Sequence, residues 1–104
     1  METQKSTISK LQNITTLFQQ GYKSEIIDKT LNKLVSLELN KAKQELQEVV
    51  IILKKLENKY SMTSSEFVIK FRSGQTGDSA DFIKWISYYD MQEAILDRIT
   101  TLEQ

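Results

Sequence analysis

The chain has 104 residues, enough for one domain, with 39% apolar residues, 27% charged residues and no net charge. It has no cysteine and no histidine. This excludes disulfides, zinc–thiolate sites and any mechanism built on a histidine base or a cysteine nucleophile.

The first predicted element is a helix over about residues 6–20. Ile8, Leu11, Ile14, Leu17 and Phe18 fall on one face at helical spacing. Thr3, Ser6 or Thr7 is positioned to cap its start, and Gly21 to end it. The second helix is expected over about 24–60. Ser24 serves as N-cap, and Glu25 and Asp28 sit in the positively polarised first turn. The chain has no proline, and nothing up to Tyr60 breaks this run of roughly 54 Å.

A helix of that length calls for a partner along its side. Val35, Leu39, Ala42, Leu46, Val49, Leu53, Leu56 and Tyr60 step by alternating fours and threes, a heptad seam. Ile27, Leu31 and Leu34 lie one position out of phase with it, so the seam shifts near Leu34. The spacing predicts that the seam joins copies of the chain into a dimer or larger homo-oligomer. Val50, Ile52 and Leu37 lie off the seam, as in a helical bundle.

A short third helix is predicted over about 64–73, capped by Thr63 or Ser64, with Phe67 and Phe71 on one face and Gly74 ending it. The fourth spans about 79–102, with Asp78 as its expected N-cap and Asp81 reinforcing its start. The whole is an all-α chain: one long amphipathic helix with a heptad seam, flanked by shorter helices in a hairpin or bundle.

The stretch "FRSGQTGDSADFIKW" holds Gly74 and Gly77 just ahead of the fourth helix. No strand precedes these glycines, no Gly-Lys-Ser/Thr follows, and Asp78 and Asp81 repel an anion, so a phosphate loop is not expected. Two carboxylates without histidine make a poor metal set. Capping and turning account for Gly74, Gly77, Asp78 and Asp81 more simply, and no metal, cofactor or catalytic residue is assigned.

Six of the chain's aromatics fall between Phe67 and Tyr89. Phe67, Phe71 and Phe82 read as core. Trp85, Tyr88 and Tyr89 are amphipathic rings of the kind favoured at protein interfaces, and they are the candidate partner-binding residues. Base stacking is disfavoured by charge: residues 61–104 hold four basic groups against seven acids, while residues 1–60 hold ten lysines against seven acids. The start "METQKSTISK" lacks the apolar core of a signal peptide, and the longest apolar run, "VVIIL", is far short of a membrane span. A soluble cytoplasmic protein is expected.

The stretches "KYSMTSSEFVIKF", "SGQTGDSADF" and "WISYYDM" together resemble the C-terminal half of a family of small all-helical prokaryotic proteins. That family's pattern runs from Tyr-Gly-Met-Ser-Ser-Glu-Glu-Phe through Gly-(x)2-Gly-Asp-(x)2-Asp-Phe-(x)2-Trp to Tyr-Asp-Met. The earlier stretch "LFQQGYKSEIIDKTLNKLVSLELNKAKQEL" is similar to the family's amphipathic front half. Two positions depart from the pattern. Ser61 stands in place of glycine, which makes a left-handed turn costlier. Lys84 stands in place of an acid beside Trp85, which implies a different partner specificity if that position touches the partner.

Members of the family resemble the antitoxin half of small toxin–antitoxin pairs. The resemblance implies a non-catalytic protein that binds and occludes a small toxin encoded nearby. A structural homo-oligomer is the competing reading. A DNA-binding regulator ranks below both, because the lysines are spread along one helix and form no basic recognition element. An enzyme ranks last.

Overall fold

The computed structural model describes residues 2–104. It contains four helices, α1 (Glu2–Gln19), α2 (Glu25–Tyr60), α3 (Ser64–Arg72) and α4 (Ala80–Glu103), and no strand among the described residues. The chain divides into two compact units, with the boundary between Lys33 and Leu34 inside α2.

In the first unit, α1 begins at Glu2, four residues before its expected start. Thr3, Ser6 and Thr7 therefore lie inside the helix. Thr7 caps nothing; its Oγ1 donates to the Thr3 carbonyl one turn back, at 3.0 Å. Gly21 has φ +93°, and the Tyr22 N–H closes back onto the Leu17 carbonyl. This is a Schellman ending, with the glycine in the left-handed position. Ser24 then accepts the Ile27 N–H at 3.2 Å and caps α2.

The second unit is built from the rest of α2 with α3 and α4. Asp81, near the start of α4, meets Lys59 and Tyr60 at the end of α2. Arg98 pairs with Glu45, and Glu103 lies 3.7 Å from Lys43. The order of these contacts shows α4 running antiparallel along α2. α3 is wedged across one end of the pair.

The heptad seam is thereby reassigned. Ala42, Val49, Leu53 and Leu56 are buried within the chain, and Leu46 and Tyr60 pack against them. The cover is the chain's own α3 and α4, which supply Phe67, Val68, Trp85 and Ile95 to the same core. From Ala42 onward the seam is therefore not an open oligomer seam. Val35 remains 38% exposed, and Leu39 is half-buried. Heptad spacing demands an apolar partner, and here α4 supplies it in cis.

α2 ends in a second Schellman turn, with the Met62 N–H bonded to the Glu57 carbonyl and Ser61 at φ +51°. Thr63 caps α3 by accepting the Glu66 N–H at 3.2 Å. Gly74, at φ +79°, closes α3 in the same manner as Gly21 closes α1. The cap of α4 is Ser79, whose Oγ accepts the Phe82 N–H at 3.3 Å. Asp78 lies one residue too early for that role: it stands outside the first turn, beyond the reach of the free N–H groups.

Candidate partner-binding site

The residues singled out as partner-facing occupy four different environments. Trp85 is wholly buried. Its indole stacks on Phe67 and its Nε1 donates to Ser64 Oγ at 2.9 Å. It is a core residue and offers no open surface, a correction to its reading as an interface ring. The polar handle that suits a tryptophan to interfaces is used internally. Ser64, expected only as an alternative cap, is the buried acceptor.

Tyr88 and Tyr89 are half-buried on neighbouring edges of α4, and both pack against the core. They face different hollows. Tyr88 lines an apolar groove of about 450 Å³ between α2 and α4, floored by Val49, Ile52 and Ile95. Met91 and Ala94 form its α4 wall, and Glu45, Glu48 and Arg98 stand on its rim. Tyr89 lines a smaller, more polar hollow of about 290 Å³, along with Glu57, Ser65, Gln92 and Glu93. Lys84 is exposed and lies close enough to Asp81 to favour its charged form.

Asp81 does more than reinforce a helix start. Its Oδ2 accepts from Lys59 Nζ at 2.6 Å and from the Tyr60 hydroxyl at 2.5 Å. The hydrogen bonds from Lys59 and Tyr60 hold its carboxyl below the usual carboxylate range. The same bonds, seen from the partners, push Lys59 and Tyr60 up from their ordinary values. The Tyr60 ring also stacks on Trp85, with centroids 5.8 Å apart. The cluster thus clamps the start of α4 to the end of α2 over an aromatic floor. Nothing in the local sequence around Asp81 signals this, because both donors are more than twenty residues away.

Gly74 and Gly77 both adopt positive φ, and the segment between α3 and α4 does the turning that its glycines suggest. No three carboxylates among the described residues gather into a metal-holding group. No described helix is long and apolar enough to cross a membrane. The α2–α4 groove has a mainly apolar lining and charged rims, the anatomy of a protein-binding surface. No protein-family model, curated protein or solved structure matches this chain.

Proposed function

We propose that this protein is a non-catalytic interaction module of the antitoxin-like kind, which binds a small partner protein and masks it by occlusion. The observation that carries the reading is the open apolar groove between α2 and α4, lined by Tyr88 and Met91 and rimmed by Glu45, Glu48 and Arg98. A partner helix presenting two or three apolar side chains and a lysine or arginine suits it. Among the described ion pairs Glu45 is engaged by Arg98, while Glu48 has none. Glu48 is thus the carboxylate available to that cation. Tyr88 is the contact residue, Trp85 holds the α4 wall from behind, and Lys84 and Tyr89 flank the contact on other faces of α4.

The resemblance of the "TSSEF", "GQTGDSADF" and "YYDM" stretches to antitoxin-like proteins supports the same reading. The protein acts in the cytoplasm, without enzymatic activity, cofactor or direct contact with nucleic acid. The test is a growth assay in which the adjacent gene is induced with and without this one, together with capture of that gene's product. Toxicity relieved by co-expression, with a direct complex, is expected. A harmless neighbour, or one that does not bind, removes the antitoxin reading.

A structural homo-oligomer is the second reading. One observation favours it: no residue between Thr3 and Lys41 is buried, although nearly all of that segment is helical. Helices draw most of their stability from packing an apolar face.

A further inference from the structure

The two compact units differ in what holds them. Every residue from Thr3 to Lys41 is exposed or half-buried, and Ala42 is the first wholly buried side chain along the described chain. Among the described residues, the side-chain hydrogen bonds and ion pairs of this stretch all close within four positions. They join Thr7 to Thr3, Thr15 to Leu11, Thr16 to Gln12, Ser24 to Ile27 and Lys29 to Glu25. Polar side-chain contacts with a distant element begin at Lys43, with Glu103, and at Glu45, with Arg98.

α1 is also poor helix-forming material. Thr3, Thr7, Ile8, Ile14, Thr15 and Thr16, six of its 18 residues, are β-branched and lose rotamer freedom in a helix. Thr7, Thr15 and Thr16 donate back to carbonyls one turn earlier, which weakens a helix slightly. The last turn holds no basic residue to meet the negative end of the helix dipole. A helix of this length without a packed face is marginal in water. The start of α2 differs, because it extends a helix whose later turns are held in the core at Ala42, Val49, Leu53 and Leu56. Adding turns to an existing helix avoids the cost of nucleation.

We propose that α1 and the turn after it, residues 2–23, open and reclose while Trp85 and the core around it stay folded. α1 is then a conditional helix on a core that does not depend on it. The proposal goes beyond both functional readings and requires neither. Opening gives up few contacts and releases the conformational entropy of roughly twenty residues, so the balance lies near zero. Any contact that covers α1 is thereby coupled to its folding.

Hydrogen exchange on the full chain, read by peptide mass, tests this at about 1 μM and about 100 μM protein. At the lower concentration the α1 amides are expected to exchange at least about a hundredfold faster than those of residues 49–56 and 85–95. Protection of α1 that appears only at the higher concentration agrees with the proposal, because the cover then comes from another molecule. Exchange of α1 within a few-fold of the core at both concentrations overturns it.

A variant supplies the second measurement. Trp85 is the one tryptophan and is wholly buried, so its fluorescence reports the core alone. Asn13→Pro sets a helix breaker at an exposed position in the middle of α1. It is expected to remove up to about a fifth of the far-ultraviolet helix signal, while the fluorescence melting midpoint moves by less than about 2 °C. A proline inside a cooperative part of the fold lowers that midpoint by more than about 10 °C. A shift of that size, or loss of the folded core, overturns the proposal.

Discussion

The rings of Phe67 and Trp85 lie face to face, with centroids 4.0 Å apart and planes within 2° of parallel, and both side chains are fully buried. This contact joins α3 to α4 at the centre of the second unit. Phe67→Ala is expected to cost about 3–5 kcal/mol, the range for a large core aromatic cut to a methyl group. Ser64→Ala is expected to cost about 1–3 kcal/mol, because it strands the buried Trp85 N–H. Urea melts followed by tryptophan fluorescence measure both. A Ser64→Ala protein as stable as wild type contradicts the structural role of that hydrogen bond.

Ser79 and Asp78 stand side by side, and only Ser79 reaches the Phe82 N–H. Ser79→Ala should therefore cost about 1 kcal/mol, while Asp78→Ala should change stability by only a few tenths. Thermal melts of the two variants decide between the caps, and the reverse order restores Asp78 to the role.

Ser61 holds φ +51° at the end of α2. A non-glycine residue in this region is strained by about 1 kcal/mol. Ser61→Gly should relieve that strain and raise stability by several tenths of a kcal/mol to about 1 kcal/mol. A lower melting temperature in the variant contradicts this account of the turn.

Asp81 links stability to pH. Its carboxyl is held low by the Lys59 and Tyr60 hydrogen bonds, so the unfolded chain binds its proton more readily than the folded one. Its contribution is complete above the ordinary carboxylate pKa of about 4, and is lost as pH falls through the lower folded value. Lys59 and Tyr60 are shifted upward, so their contribution is present below about pH 10 and is lost as pH rises through their folded values. Asp81→Asn should flatten the melting profile at both extremes relative to wild type. Identical profiles for the two proteins contradict the clamp.

The helices were legible in the sequence wherever the cause is local. The absence of any breaker from Glu25 to Tyr60 predicts α2 to its ends, and Gly21, Gly74 and Ser24 act as their types suggest. Heptad spacing predicts that Ala42, Val49, Leu53 and Leu56 meet an apolar partner, but it does not say whose. That depends on α4, whose core residues Trp85 and Ile95 lie far along the chain, the nearer of them 29 positions beyond Leu56. Non-local pairing also hides the burial of Trp85 behind an interface-like side chain, since its acceptor, Ser64, lies on another helix. Asp78 and Ser79 are both good cap types, and residue type alone does not say which of them reaches the Phe82 N–H.

The groove between α2 and α4 is the centre of the functional account, and Met91 is its most direct probe. Met91 is 46% exposed, so Met91→Lys leaves the core in place while setting a charge in the groove. Tyr88, packed partly against the core, is less clean, because Tyr88→Ala also weakens the fold. The measurement is a calorimetric titration of the neighbouring gene's product into wild type and into Met91→Lys, with melting curves for each. The account predicts binding to wild type, a loss of about 1–3 kcal/mol in the variant, and nearly unchanged melting. Equal affinity for the two proteins contradicts the groove as the binding surface.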